Sequence, residues 1–434
     1  GRSHATARLP ASLSQHARRS TLTGAARLQC SEAFAMRVSV LVGCALLVAA
    51  SRAFSATIHV SPDGSGDYPT IQAAIDAAAS GDEIVLSDGT FTGTGNWDLA
   101  FGTKDLVVRS VNGFDATTID CGFDYIHDIE HRASILEGGQ TSETRIEGIT
   151  LEKAHGERDG GFIRCVGVSP IMSRLRFLGA HTSGRGGSIF IHGGSPLIED
   201  CEFGATHDYA IAEGGAIFSE QSRLNLQRCS FTSVHSYRGA VALDGGTLAD
   251  CVFDHCLGRG DNQDDCIGVR GGQVSVLTST FRHTFGTCVG SSGEQLLLSG
   301  CRFEDNVGDD PGIVAGGRVT IRHSLFLRNS SGMSSSAVLF VGESPSPRSS
   351  MLSLDHCVFE SDTRDAVVVY GSADLDVTHC TFAGTGLAAD GATALVPRSS
   401  SGVARRSRST TPSSPLERDQ PWRSFATTPR RAYA

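Results

Sequence analysis

Hydrophobic and polar positions alternate in short runs along most of the chain, and the runs recur in similar layouts. Residues 186–203 (GGSIFIHGGSPLIEDCEF), 214–231 (GGAIFSEQSRLNLQRCSF), 238–253 (RGAVALDGGTLADCVF) and 365–382 (DAVVVYGSADLDVTHCTF) are examples. Each predicts a short strand, a polar or glycine-containing turn, a second short strand, a corner, and a third strand carrying Cys-x-Phe. Residues two apart on a strand share a face, so Cys and Phe point inward and the residue between them points out. The residues between are Glu202, Ser230, Val252, Arg302, Val358 and Thr381, mostly polar. No stretch in the repeats sustains a 3.6-residue period, which excludes helical repeat units.

Cys201–Phe203, Cys229–Phe231, Cys251–Phe253, Cys301–Phe303, Cys357–Phe359 and Cys380–Phe382 set a register. Leu175–Phe177, Ser279–Phe281 and Ser324–Phe326 keep the Phe and vary the first position. Successive steps from Phe177 to Phe382 are 26, 28, 22, 28, 22, 23, 33 and 23 residues, and Ile149–Leu151 extends the series upstream. Three strands per coil of this length predict an all-β fold, a single-stranded right-handed parallel β-helix (solenoid) of about ten or more coils. At roughly 4.8 Å per coil, ten coils make a rod on the order of 50 Å long, cored by stacked Phe, Cys, Ile, Val and Leu.

The ends differ from the middle. Thr70 to Ala79 predicts one amphipathic helix, with Ile71, Ala74, Ile75 and Ala78 on one face and Gly81 as its stop. Such a helix would cap the open end of the solenoid. Met36–Arg37 followed by VSVLVGCALLVAA predicts a signal peptide over 36–55, and with it secretion or display at the cell surface. That apolar run is too short for a stable transmembrane anchor. Residues 1–35 read as an upstream extension foreign to the native protein, 56–395 as the β-helix, and 396–434 as a disordered basic tail or frameshifted end.

Charge separates the same regions. Residues 1–56 and 397–434 hold 15 of the 37 basic residues and three of the 47 acidic ones. The middle keeps 22 basic against 44 acidic residues, formally −22. That surface argues against nucleic acid as a partner, and against an anionic polysaccharide unless metal ions bridge the two. It suits Ca²⁺, whose ligands are hard oxygens.

Cysteine in an exported chain suggests disulfides, but six of the 13 cysteines sit at the inward position beside Phe, as small apolar fillers. Cys256 with Cys266, flanking one loop, is the best disulfide pair. Spacing shows no zinc motif and no binding signature for an organic cofactor.

Using Phe as a ruler exposes a histidine ladder four residues beyond the mark: His155, His181, His207 and His235 (LEKAH, FLGAH, FGATH, FTSVH). Imidazoles one coil apart could hold a transition metal or act in acid–base chemistry. A polar corner ladder that satisfies the backbone is the plainer alternative. Asp261, Asp264 and Asp265 form an acidic loop, a candidate Ca²⁺ site, and Asp264 and Asp265 are the candidate catalytic carboxylates. Asp305, Asp309 and Asp310 make a similar acidic turn.

Family resemblances divide by region. The run DGSGD…TIQ in residues 63–72 resembles the opening of pectinesterases and implies the cap. Asp264–Asp265–Cys266–Ile267 resembles a segment of polygalacturonases, which implies paired-carboxylate hydrolysis of a glycosidic bond. The other motifs of that family are missing, so a solvated acidic turn fits the segment better. Gly186–Ile189 and Gly214–Ile217, with Phe303–Asn306 and Phe326–Asn329, resemble the tetrapeptides of chlamydial polymorphic membrane proteins. Residues 145–385 as a whole resemble secreted right-handed β-helix repeat proteins of the pectin-lyase-like superfamily. The lack of a complete catalytic motif set favours a non-catalytic adhesion-type protein that binds a polysaccharide or cell-surface glycan. A carbohydrate-active enzyme (polysaccharide lyase, glycoside hydrolase or pectinesterase-like) working along the wall stays open as the alternative.

Overall fold

Nine phenylalanines, Phe177 through Phe382, stand in one file through the interior. Adjacent rings are 4.6–5.0 Å apart between centroids and within 10° of parallel. They are the register marks of the repeats, and coil stacking imposes their spacing. The computed structural model describes residues 55–123, 131–156, 158–204, 213–236, 239–258, 265–308, 312–330, 336–342, 350–360, 365–371, 373–383 and 386–389.

Each coil contributes one strand to each of three parallel sheets, as the repeat pattern predicts. Among the described residues the first sheet has 13 strands, beginning with Thr57–Val60 and Glu83–Leu86. The second has 12, beginning with Gly89–Phe91 and carrying the Phe file. The third also has 12, beginning with Leu99–Ala100 and including Ile163–Val166, Ile189–His192 and Ile217–Glu220. Phe177 pairs with Phe203, Phe203 with Phe231, and so on without slippage to Phe382.

The expected helix is shorter than its hydrophobic pattern. It spans Ile71–Ala77, with the Thr70 side chain accepting from the amide of Ala73. The Asn96 side chain takes the Ile71 amide at 3.0 Å. Ile71, Ala74, Ile75 and Ala78 are buried in the core at the first coils, as predicted. Gly81 does not end it: Lys104 from the next coil donates to the carbonyls of Ile75 and Asp76 at 2.7 and 2.9 Å, capping the last turn first.

Two of the four-residue motifs prove architectural. Gly186 and Gly214 take φ of +68° and +64°, and a Cβ on either would collide with the carbonyl of Ile189 or Ile217. Asn306 and Asn329 are fully buried. Each donates to a Phe carbonyl one coil back, Phe281 and Phe303, both at 3.1 Å. Asn306 also donates to Asn329, so the pair closes the corner as a ladder.

The expected Cys256–Cys266 disulfide is not formed. Both are free and buried, with the Cys266 thiol pushed well up by burial and by its hydrogen bond with Cys256. All described cysteines are free, and those beside Phe fill the interior as predicted.

Candidate functional site

Residues outside the core are presented by the corners. Between the first and second sheets, the residue before each Cys position is left-handed: Arg174, Asp200, Arg228, Asp250, Thr278, His323, His356 and His379 have φ of 46–55°. Between the second and third sheets, Lys153, Ser233, His255, His283, Asp305 and Arg328, two residues beyond the register mark, do the same. Glycine would be the default there. Cross-rung bonds take its place: Asp200 with Arg228 at 2.7 Å, Asp250 with Thr278 at 2.6 Å, Asp305 with Arg328 at 2.7 Å.

Of the predicted histidine ladder, His155 and His181 are brought together. They pair in parallel register, with ring centroids 4.3 Å apart and edge to face. Phe123, one coil earlier at the same position, lies 4.8 and 4.9 Å from them, so the two imidazoles belong to an aromatic cluster. His207 lies outside the described residues. His235 pairs with Leu257, and the column continues through Phe285, Val307 and Ser330. Among the described residues the position therefore falls into two pieces, the His155–His181 pair and a ridge that runs from His235 through Leu257 to Phe285 and Val307. Phe285 is 56% exposed and Val307 45%, the latter in a coil whose interior is fully packed.

Asp261 and Asp264 lie outside the described residues, as do Asp309 and Asp310. Asp265 opens the strand Asp265–Val269 in the third sheet, so it is a strand residue rather than part of a solvated turn. Its carboxylate lies against Gly290 on the outer face, where a Cβ would collide with it.

A second cluster on that outer face escaped the sequence reading. Ile189 and Ile191 point into the core, so Phe190 between them points out, as does Phe218 one coil on. The two rings are 5.7 Å apart and nearly parallel. Arg185 covers both, 5.0 Å from Phe190 and 4.5 Å from Phe218, and Arg270 lies 4.1 Å from Phe218. Arg185 is tied to Asp159 and Glu220 at 2.9 and 2.8 Å. Arg270 is tied to Glu213 and Asp244 at 2.7 and 3.2 Å. Beyond Phe218 the outer column shrinks to Ala242, Gly268 and Gly290, then widens at Val314.

Two corners also join carboxylates to imidazoles. Asp254 meets His255 and His283, and Asp355 meets His356 and His379. Hydrogen bonds, that from Thr378 foremost, hold the Asp355 carboxyl down to about 2. The signal was present as His-Cys-x-Phe at 356 and 379 and His-Ser-x-Phe at 323, one position before the register Cys or Ser.

Comparison with known proteins agrees on architecture. Residues 241–403 match the family model described as a right-handed β-helix region. Among curated proteins, none matches. The solved structures it resembles include the A-module of the mannuronan C-5 epimerase AlgE6 from Azotobacter vinelandii. That match has 15% identity and a TM-score of 0.41, over 75% of this chain and 91% of that one. A PL6 family polysaccharide lyase from Pseudopedobacter saltans matches at 10% identity and a TM-score of 0.45, over 79% and 87% of the two chains. The catalytic domain of a GH87 α-1,3-glucanase matches at 10% identity and a TM-score of 0.38, over 74% and 64%. The chain is a right-handed parallel β-helix.

Proposed function

We propose that this is a secreted or cell-surface β-helix that binds a glycan along one wall without transforming it. The observation that carries this reading is the ridge from His235 through Leu257 to Phe285 and Val307. It offers one ring or apolar side chain per coil, and its far end is exposed although the core beneath is complete. Exposed apolar side chains in a continuous line mark contact surfaces. Rings with apolar faces suit the C–H faces of sugars, and the coil repeat presents them at a constant step.

Charge narrows the ligand. With a formal −22 over the middle of the chain, a neutral glycan fits the wall directly, and an acidic one would need Ca²⁺ between. The carboxylates around Phe218 are engaged by Arg185 and Arg270, which supports a built wall over an exposed acid–base pair. The leader-like segment at 36–55 and the tetrapeptides resembling those of polymorphic membrane proteins support display outside the cell. A glycan array probed with the full chain, with and without Ca²⁺, followed by product analysis on each hit, tests the reading. Retained, uncleaved ligand is expected. Shortened or unsaturated products would replace it with a lyase or hydrolase.

A further inference from the structure

The corner between the first and second sheets stacks three imidazoles on successive coils: His323, His356 and His379, with centroids 5.2 and 4.4 Å apart. Asp355 stands beside the last two. Its Oδ1 is 2.7 Å from His356 Nδ1 and 3.3 Å from His379 Nδ1. We propose that Asp355, His356 and His379 bind a divalent transition-metal ion of the zinc class.

Donor geometry carries the proposal. With metal–ligand bonds of about 2.0–2.1 Å, the donors of a tetrahedral zinc ion lie about 3.3 Å apart. The Asp355–His379 distance already matches that edge, and the Asp355–His356 distance must open by a few tenths of an ångström. One ion would take the place of the hydrogen bonds between carboxylate and rings. Two nitrogens and one oxygen favour zinc, nickel or copper over calcium or magnesium, which take oxygen ligands.

The scaffold holds the donors in place. His323, His356 and His379 share one left-handed backbone conformation, with φ of 51–52°, so coil stacking alone sets their spacing. All three are exposed, leaving the ion open to water and to an outside donor.

A second corner shows why this one is preferred. Asp254 Oδ1 is 2.7 Å from His255 Nδ1 and 3.1 Å from His283 Nδ1, nearly the same arrangement. Its Oδ2, however, is paired with Arg282 at 2.9 Å, and a guanidinium beside the site opposes a second cation. Asp355 takes a neutral hydroxyl, Thr378 Oγ1 at 2.9 Å. Among the described residues, no carboxylate forms a metal-capable cluster with the His155–His181 pair, which is edge to face and packed on Phe123.

The site stands apart from the ridge and does not depend on glycan binding. Its test is calorimetric titration of the chelator-treated full chain with ZnCl₂. The tightest event is expected to weaken at least about tenfold in His356→Asn/His379→Asn and in the isosteric Asp355→Asn. It should persist in His255→Asn/His283→Asn and in His155→Asn/His181→Asn. Circular dichroism confirms that each variant keeps its β signature. An unchanged isotherm in both Asp355→Asn and His356→Asn/His379→Asn would overturn the assignment. So would loss of the tight event in His155→Asn/His181→Asn with those two variants intact.

Discussion

The guanidinium carbon of Arg270 lies 4.1 Å from the centroid of the Phe218 ring, on the outer face of a sheet whose inner face is the core. Arg185 covers the same ring, and four carboxylates hold the two arginines in place. Phe218 is fully buried by these charged neighbours instead of by a hydrophobic layer. Phe218→Ala should therefore cost as much as a core truncation, roughly 3–5 kcal/mol. Arg270→Lys keeps the charge and loses the flat stacking group, and should cost about 1 kcal/mol. Urea unfolding of both variants checks the pair of values, and equal costs would contradict the stacking role.

Asn306 makes an independent prediction. It donates to Phe281 O and to Asn329, and accepts from the amide and hydroxyl of Thr284 at 3.0 and 2.9 Å, with no exposure to water. Asn306→Ala strands several buried partners at once, at about 1–3 kcal/mol for each one left unsatisfied. Its unfolding midpoint should drop well below that of a surface control such as Thr381→Ala.

Much of this was legible in the sequence because the solenoid repeats its register faithfully. The Phe file, the inward cysteines and the three strands per coil all follow from one spacing. The helix ends before its hydrophobic pattern does because its cap, Lys104, comes from the following coil. The expected Cys256–Cys266 disulfide is replaced by two buried thiols in hydrogen-bond contact, because both positions face the packed interior. The Arg–Phe cluster was hidden because its arginines reach the rings from different coils. An Ile-Phe-Ile run at 189–191, with a large residue forced outward, was the available clue. The imidazole corners follow the same ruler: His323, His356 and His379 stand one position before the register Ser or Cys, and His255 and His283 two after Phe.

Thiol burial gives a pH dependence. Burial pushes the Cys301 thiol from an ordinary value near 9 up to about 11, and those of Cys165 and Cys288 up to about 12. The unfolded chain therefore loses these protons first. Stability from these groups is complete below about pH 9 and declines as pH rises through 11 to 12. The urea midpoint should fall between pH 8 and pH 10.5. At pH 8, alkylation of the folded chain should reach half-buried Cys380 well before Cys301.

Asp265 and Gly290 form a steric pair. A Cβ at Gly290 would occupy the space of the Asp265 carboxylate, so Gly290→Ala should destabilise by about 1–3 kcal/mol. Combined with Asp265→Ala, much of that cost should vanish. A double-mutant cycle by urea unfolding reads the coupling directly, and additive costs would contradict the contact.

The central claim is that the exposed ridge is the glycan-contacting wall. Its most direct test is calorimetric titration of the full chain and of Phe285→Ala with the strongest array ligand. Phe285 is half exposed and its core neighbours are intact, so the variant should unfold at the same urea concentration as the parent. Loss of one stacked ring should weaken binding about fivefold, on the order of 1 kcal/mol. Unchanged affinity in Phe285→Ala would contradict the account and move the binding surface to another wall.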